Sequence, residues 1–402
     1  MKKESDFIPN DYKKSSLGII PNEWNVKKLG DLVSITSGES PSLYLLKNQG
    51  KYPYVKVEDM NLCEKYQNQS RNYSNEEKGI IKKGSIIFPK RGAAILNNKV
   101  RIAHIDIQMD SNMMAILPKK NIIWGEYLYY NIVFEKLFKI ADTSTIPQIN
   151  NKHIIPYKIP LPPLPEQQKI AKILGTWDKA IEMQTQLIKK LELRKKGLMQ
   201  HLLTGKKRLP GFSGEWRKVK LGKLFIERNE INKAHLPLLS ITADRGVIFQ
   251  SESDKRDISN DDKSKYKHIC PNDIGYNTMR MWQGRCALSS LEGIVSPAYT
   301  IITPNKDINP YFMEMLFKQP FTIYCFWTHS QGLVNDTLNC KFPDFSQIKV
   351  TIPNFEEQNA ISQFFKGINH EIELCTQKLN SLLQQKKGLM QVLLTGKKRI
   401  NI

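Results

Sequence analysis

The chain has 402 residues, a length that suits two or three domains rather than a single core. Its 60 lysines and arginines outnumber 39 aspartates and glutamates, so the formal net charge is +21, while aromatic residues stay at an ordinary 9%. This composition excludes a disordered basic tail and indicates a folded protein whose partner is a polyanion, above all nucleic acid.

Two other classes of protein are disfavoured by the sequence. No apolar run approaches the length of a membrane span, and the opening stretch MKKESDFIPN is polar, without an amphipathic anchor or lipidation signal. The cysteines form no C-x-x-C pair, so we expect neither a zinc site nor a disulfide framework, and a reducing cytoplasm fits. They are Cys63, Cys270, Cys286, Cys325, Cys340 and Cys375.

The chain contains an internal duplication. An E-W-x4-L-G stretch at 23–30 recurs at 215–222, and KKGLMQHLLTGKKR at 195–208 recurs at 386–399 with one change in fourteen. Self-similarity of this kind indicates a repeated structural unit. Each unit consists of the E-W-x4-L-G opening, a variable domain, a proline-containing hinge and a long helical segment.

Each variable domain is predicted to be a strand-rich mixture with the same order of parts. The first domain has predicted strands at 84–88 and 113–117, then a helical stretch at 125–139. The second has predicted strands at 273–276 and 297–302, then a helical stretch at 310–328. The shared order with different side chains predicts two related domains that contact different ligands.

The loop after the first strand of each pair concentrates the side chains that read DNA grooves. Arginine and lysine contact guanine edges or phosphates, asparagine and glutamine contact adenine, and an aromatic side chain stacks or contacts a methyl group. Any one of these residues is also compatible with a solvated surface charge, and Trp282 with a packed core aromatic; the clusters favour DNA contact. The candidates are Lys90, Arg91, Asn97, Asn98, Lys99 and Arg101, then Asn277, Arg280, Trp282, Gln283 and Arg285. A weaker candidate is the stretch 240–246, with a turn at Asp244-Arg245-Gly246.

The helical segments carry an apolar stripe at alternating steps of four and three residues, which is typical of a coiled coil. The stripe is interrupted by lysine at the same place in both copies, Lys195 and Lys386. Gly205 and Gly396 are predicted to end the two helices. The predicted seam consists of Ile170, Leu174, Trp177, Ile181, Ile188 and Leu191 in the first helix, and Ile361, Phe365, Ile368, Ile372, Leu379 and Leu382 in the second.

We expect the two helices to pair with each other, because each stripe needs a partner stripe. An antiparallel pair would place the variable domains at opposite ends of a rod of roughly 55 Å, more than one turn of DNA. Oligomerisation through the stripes is the alternative. The basic ends at 205–208 and 396–399 could contact phosphates, but opposition of the helix dipole is favoured.

Catalytic and nucleotide-binding motifs are absent from the sequence. The T-G-K-K stretch at 204–207 lacks the first glycine and the hydroxyl residue of a P-loop, and N-P-Y at 309–311 lacks the second proline of an amino-methyltransferase motif. The seven histidines lie singly, without an H-x-x-x-H pair. These observations predict a chain that does no chemistry, although an enzyme with a dispersed active site stays open as an alternative.

The layout resembles that of type I restriction-modification specificity subunits over nearly the whole chain. The resemblance rests on L-P-P-L-P-E-Q-Q at 161–168, G-E-W at 214–216, the Y-N-T-M-R-M-W-Q-G loop at 276–284 and E-E-Q at 356–358. The second helix entry departs from the pattern, since it reads I-P-N-F-E-E-Q at 352–358.

The resemblance implies an α+β fold in which two target recognition domains are separated by an antiparallel coiled coil with internal pseudo-two-fold symmetry. We expect recognition domains at 1–162 and 209–353 and spacer helices at 163–208 and 354–402. Each recognition domain would bind one half of a bipartite DNA target, and the helices would set the unread spacer.

The resemblance also implies partners. Two modification subunits would carry S-adenosylmethionine and methylate adenine, and two motor-nuclease subunits would use ATP and Mg²⁺, so this chain itself is expected to bind no cofactor and no metal. The alternatives are a nucleic-acid-modifying enzyme with cofactor-dependent turnover and a coiled-coil adaptor whose basic surface binds acidic proteins. An adaptor would show no sequence preference among DNAs.

Overall fold

The structure is a computed structural model and describes residues 8–242, 245–253, 257, 259–334 and 337–400. The chain divides into two compact units: unit 1 comprises 1–185 and 378–402, and unit 2 comprises 186–377. None of the helices that the structure describes has the length and apolar composition needed to span a bilayer.

Unit 1 is built around a five-stranded sheet of order β4-β11-β8-β9-β6, accompanied by a three-stranded sheet β10-β5-β7 and the pairs β1–β2 and β3–β12. The two strands predicted at 84–88 and 113–117 are confirmed as β8 and β11, which pair antiparallel with Met114 opposite Phe88. Strands β1 to β12 are Tyr12–Ser15, Gly18–Pro21, Asn25–Lys28, Val33–Ser37, Tyr52–Val55, Tyr66–Gln67, Tyr73–Ser74, Ile86–Pro89, Arg101–Ala103, Gln108–Met109, Met113–Pro118 and Lys158–Leu161.

The helices of unit 1 cover one face of this sheet and share its core. The single helical stretch predicted at 125–139 is wrong in one respect: it is two helices, because Lys136 has a positive φ of 66° that interrupts the α conformation. The helices are α1 Leu29–Leu32, α2 Gly125–Glu135, α3 Leu137–Ile140, α4 Asn151–Ile154 and α5 Leu164–Leu202, with 3₁₀ turns at Pro41–Leu43 and Asp59–Leu62.

Unit 2 has a four-stranded antiparallel sheet of order β14-β21-β18-β19 and the pairs β13–β22, β15–β16 and β17–β20. The predicted strands at 273–276 and 297–302 correspond to β18 and β21, which pair with Ile274 opposite Ile302. Strands β13 to β22 are Arg217–Lys220, Phe225–Glu227, Leu239–Ile241, Val247–Phe249, Lys267–Ile269, Ile274–Asn277, Cys286–Leu288, Gly293–Val295, Tyr299–Pro304 and Lys349–Ile352.

The helical stretch predicted at 310–328 is also divided in two. Pro320 begins a new helix, since proline disfavours the α conformation of the residue before it, and Gln319 accordingly has ψ of 143°. The helices are α6 Pro310–Phe317, α7 Pro320–His329, α8 Phe342–Gln347 and α9 Phe355–Leu393, with 3₁₀ turns at Leu221–Lys223, Gln250–Glu252 and Met281–Gln283.

The two long helices, α5 and α9, have 39 residues each and pair antiparallel. In unit 1, Leu174 near the start of α5 belongs to the same buried core as Leu393 at the end of α9. In unit 2, Leu202 at the end of α5 belongs to the same core as Phe365 near the start of α9. The predicted α+β fold with an antiparallel helix pair is therefore confirmed.

The seam positions of both helices are turned away from solvent. All twelve predicted seam residues are buried or half-buried, whereas Met183 and Leu187, which lie off the stripe, are 62% and 43% exposed. Each long helix contributes one part to each compact unit, so the units cut across the predicted limits at 162, 208 and 353. Those limits stay a prediction.

Candidate nucleic-acid interface

The loops that follow β8 and β18 share one backbone arrangement, at an offset of 186 residues. Ile95 and Met281 are fully buried and anchor the loops from inside. Three residues later, Asn98 and Gly284 both adopt a left-handed conformation, with φ of 50° and 72°. The duplicated fold thus presents a tight turn at the same place in each unit.

This turn carries an amide side chain before the left-handed residue and a cation after it. Asn97 and Gln283 are exposed, Arg285 is exposed and Lys99 is half-buried. An amide can bond the adenine edge, and a cation can contact guanine or phosphate. Four of the eleven predicted residues therefore form two equivalent pairs, one in each unit.

Asn98 has a structural function that the sequence does not reveal. Its Oδ1 accepts the backbone N–H of Leu137 at 2.9 Å, and its Nδ2 donates to the carbonyl of Val133 at 2.9 Å. At the equivalent Gly284, a Cβ would lie 2.9 Å from the Ile323 side chain. The polar groups of Asn98 thus connect α2 to α3, and the structure disfavours its predicted role as a base reader.

Arg101 is likewise held inside unit 1. It lies in β9, where its Nε donates to the carbonyl of Cys63 at 2.7 Å and its Nη1 donates to the carbonyl of Val100 at 2.8 Å. The side chain is half-buried and fastens the segment before β6 to the sheet. Its predicted contact with DNA is therefore also disfavoured.

Lys90 and Arg91 stand directly after β8. Arg91 is exposed, and its backbone forms an isolated bridge with Gln148. Lys90 is half-buried, and burial, followed by the nearby charge of Arg91, lowers the pKa of its ammonium group. Arg91 is consequently the better placed of the two for contact with a phosphate.

Unit 2 contains a cleft of about 1170 Å³ beside its candidate turn. Asn277, Arg280 and Arg285 all line it, together with Arg245 and Lys265. Two carboxylates, Asp257 and Asp262, also belong to the lining, so the cleft is basic but not uniformly so. The structure brings three of the five residues predicted in this domain to one concave surface.

Trp282 and Gln283 lie on the 3₁₀ turn rather than in the lining of the cleft. Trp282 is half-buried, and its indole N–H donates to the carbonyl of Met279 at 2.9 Å. Its donor is therefore used within the turn, which favours a packing role. Gln283 keeps an exposed side chain and stays a candidate reader.

The described parts of the weaker candidate stretch, 240–242 and 245–246, lie at the cleft, and Ser240, Ile241, Thr242 and Arg245 line it. The N–H of Arg245 donates to Oγ1 of Thr242 at 3.0 Å, and Gly246 has a positive φ of 73°. Asp244 lies outside the described residues.

Unit 1 has a second exposed loop beside its candidate turn that the sequence analysis did not select. Asp142 and Gln148 exchange backbone hydrogen bonds of 2.9 Å, and Ile146 at the tip is 70% exposed. The N–H of Ile149 donates to the carbonyl of Lys90 at 2.9 Å, so the loop stands next to the predicted cations. The sequence feature that could have indicated this loop is the polar run D-T-S-T before Ile146.

Unit 2 repeats this arrangement. Gln331 and Asn339 exchange backbone hydrogen bonds of 2.9 and 2.8 Å, and Leu333 is fully exposed. The N–H of Cys340 donates to the carbonyl of Thr278 at 2.9 Å. Each unit therefore offers two neighbouring loops, one polar and cationic and one with an exposed apolar tip.

Comparison with known proteins shows which proteins this chain resembles. The model of the type I restriction modification DNA specificity domain matches residues 21–193. The type I restriction enzyme MjaVIII specificity subunit of Methanocaldococcus jannaschii is 27% identical over 95% of this chain and 94% of its own length. Over nearly its whole length, the chain is similar to specificity subunits of type I restriction enzymes.

Two solved structures have the same fold as this chain. The S subunit of the type I restriction-modification system from M. genitalium has a TM-score of 0.56 at 16% identity, covering 92% of this chain and 96% of its own. A chain from a structure of complex assembly and conformational transition in a type I R-M system has a TM-score of 0.59 at 15% identity, covering 94% and 99%.

Proposed function

We propose that this chain is a non-catalytic specificity subunit of a type I restriction-modification enzyme and that it recognises a bipartite, asymmetric DNA target, with one half bound by each recognition domain. The observation that carries the proposal is the pair of equivalent turns, Asn97–Lys99 and Gln283–Arg285, which share a backbone but present different side chains. The turn of unit 1 presents an asparagine and a lysine, and the turn of unit 2 presents a glutamine and an arginine. The two pairs differ in side-chain length and in hydrogen-bond geometry. Two unequal readers on a common scaffold favour a target whose halves differ.

The antiparallel helix pair supports a spacer between the two halves. A helix of 39 residues is about 58 Å long at 1.5 Å per residue, which exceeds one turn of DNA at about 34–36 Å. The length of the coiled coil would then set the number of unread base pairs. Each recognition domain would bind its half-site independently of the base sequence between them.

The proposed partners, besides double-stranded DNA, are two modification subunits and the motor-nuclease subunits. The duplicated helix ends provide two near-equivalent surfaces, as two copies of one partner require. The structural neighbour described for the complex assembly of a type I R-M system is consistent with this role. The partners would supply the catalytic cofactors S-adenosylmethionine, ATP and Mg²⁺.

Replacement of Arg280 by alanine tests this proposal. Arg280 is exposed and lines the cleft of unit 2, so Arg280→Ala should weaken discrimination within one half-site by about 1–3 kcal/mol and leave the other half-site unchanged. The measurement is competition binding, with the modification subunits present, against DNAs altered in one half at a time. Arg217→Ala, which changes an exposed arginine of β13 outside the lining of the cleft, is the matched control. Equal weakening of both halves would reject separate readers.

A further inference from the structure

A histidine, a thiol and a carboxylate meet at one end of the strand pair β17–β20. His268 lies in β17, Cys270 follows this strand, and Glu292 precedes β20. The register places Ile269 opposite Gly293, so it brings residues 268–270 next to residue 292. Strand pairing, rather than a compact sequence motif, creates this cluster.

The separations between the three side chains suit a single tetrahedral ion. His268 Nε2 lies 3.0 Å from Glu292 Oε1 and 3.5 Å from Cys270 Sγ, and the three ligand atoms all lie within 4.8 Å of one another. Bonds of about 2.0–2.3 Å to zinc place neighbouring ligands of a tetrahedron roughly 3.3–3.7 Å apart. Cys270 Sγ also lies 3.9 Å from Nδ1, beside the ring, so rotation of the Cys270 side chain toward Nε2 is needed to hold an ion.

A fourth side chain orients the histidine from the other side. Glu230 Oε2 lies 2.8 Å from His268 Nδ1, and its other oxygen pairs with Arg228 at 2.5 Å. A carboxylate on the far nitrogen of a histidine is the usual support of a metal-binding imidazole, because it fixes the tautomer with Nε2 available.

The cluster is partly shielded from solvent. His268 is only 5% exposed and Cys270 is half-buried, while Glu292 lies at the exposed side. A divalent cation would bind a neutral imidazole and a thiolate, and the protons displaced from these groups would be released to solvent.

The equivalent corner of unit 1 contains a lysine. The bridge between Ile81 and Ile107 corresponds to the pairing of Ile269 with Gly293, so Lys82 and Asp106 take the places of Cys270 and Glu292. Lys82 Nζ contacts Asp106 Oδ2 at 3.0 Å. A cation thus stabilises the carboxylate in unit 1, and unit 2 has no lysine at that position.

We propose that His268, Cys270 and Glu292 bind one Zn²⁺, with Glu230 orienting His268, and that the ion fastens β17 to β20. Mixed imidazole, thiolate and carboxylate ligands favour zinc over Mg²⁺ or Ca²⁺, which prefer oxygen. Water completes the coordination at the exposed side. The site differs from the expectation of no metal, because sequence motifs report only ligands that lie close together along the chain. It is independent of the DNA-binding proposal.

Metal titration of the full-length chain, after removal of metals with a chelator, tests the site. We expect one equivalent of Co²⁺ to bind per chain, with a thiolate-to-cobalt charge-transfer band that Zn²⁺ displaces. Cys270→Ser should abolish the band. Cys325→Ser, which changes a half-buried cysteine of α7, is the matched control and should retain it. Absence of stoichiometric binding, or a band that survives Cys270→Ser, would overturn the proposal.

A second measurement does not depend on the folding of the cysteine variant. Glu292 has a side chain that is 56% exposed, so Glu292→Gln should leave the fold intact. Zn²⁺ should raise the Tm of the unaltered chain and fail to raise that of Glu292→Gln, while Glu230→Gln should weaken Zn²⁺ binding roughly 10- to 100-fold. An equal Zn²⁺-dependent rise in Tm for all three chains would contradict the assigned ligands.

Discussion

Arg399 and Glu166 form an ion pair that joins the segment after α9 to the first turn of α5. Arg399 donates to the Glu166 carboxylate through Nε at 2.8 Å and through Nη2 at 3.0 Å, and the Trp24 indole donates to the same group at 3.0 Å. Unit 2 repeats the arrangement with Arg208, Trp216 and Glu357. The duplicated E-W and G-K-K-R motifs are therefore two halves of one contact that fixes the antiparallel pairing.

The role of the basic ends differs from the sequence prediction. The dipole of each helix was expected to account for the cations, but Arg208 and Arg399 each bond to a glutamate at the start of the other helix. Gly205 and Gly396, with φ of 70° and 73°, turn the chain toward this contact and pack against the tryptophans. The arginines thus act through a specific partner.

The first prediction concerns this ion pair. Glu166 is fully buried, so Arg399→Met should lower the free energy of unfolding by about 3 kcal/mol, because a buried carboxylate loses its cation. Urea denaturation measures the change. Lys397→Met, at an exposed neighbour, is the control and should cost less than about 0.5 kcal/mol. If Arg399→Met and Lys397→Met lowered the free energy of unfolding by equal small amounts, the ion pair between Arg399 and Glu166 would not stabilise the fold.

The lysines that interrupt the seam have different surroundings in the two units. Lys386 pairs with Asp178, which also accepts a hydrogen bond from the Tyr130 hydroxyl. At the equivalent place in unit 2, Lys195 and Asn369 line a cavity of about 420 Å³. The amide of Asn369 thus takes the place of the Asp178 carboxylate.

The second prediction follows from this difference. Burial, and then Lys318, lower the pKa of Lys195, so Asn369→Asp should raise that pKa and increase the free energy of unfolding by about 0.5–1 kcal/mol. The reciprocal change, Asp178→Asn, should destabilise by about 1–3 kcal/mol because Lys386 loses its partner. Urea denaturation of both variants checks the signs, and a destabilising Asn369→Asp would contradict the interpretation.

The third prediction concerns the equivalent cations of the candidate turns. Lys99→Gln and Arg285→Gln should each weaken binding to one half-site, and the affected half should differ between the two variants. Where the replaced cation contacts a DNA phosphate, the slope of log affinity against log salt concentration should also decrease by about one. Fluorescence anisotropy with DNAs randomised in one half measures this. Effects of both variants on the same half would mean that the turns are not separate readers.

The fourth prediction concerns the spacer. One heptad inserted in α5 between 177 and 191 should disrupt the helix pair, because the seam residues of α5 and α9 lose their register. Matched insertions in both helices should restore the pair and lengthen the preferred spacer. Site selection with each chain gives the spacer directly. An unchanged spacer in the matched variant would exclude the helices as its determinant.

The long helices could be predicted from the sequence to within a few residues, because the repeat aligned two copies of the same apolar stripe. Strands β8 and β11 were also recognisable, since Ile86, Ile87 and Phe88 form a short apolar run next to a turn at Gly84. These features depend on local pattern, which a single sequence contains.

Side-chain partners between distant segments could not be predicted. Asn98 looked like a base reader, yet its amide bonds to backbone groups 35 and 39 residues away. The cluster of His268, Cys270 and Glu292 depends on strand register, and the backbone bonds between Asp142 and Gln148 and between Gln331 and Asn339 join residues that no sequence pattern pairs. Tertiary contacts decide these functions, and residue type alone does not reveal them.

The central claim is that two unequal readers, held by a helical spacer, recognise one gapped target. Selection of bound duplexes from a random pool, with this chain and its modification subunits, tests it most directly. The account predicts a two-part motif whose halves differ and whose gap has a fixed length. Strong binding without any recovered motif would contradict it and would indicate a general polyanion-binding protein.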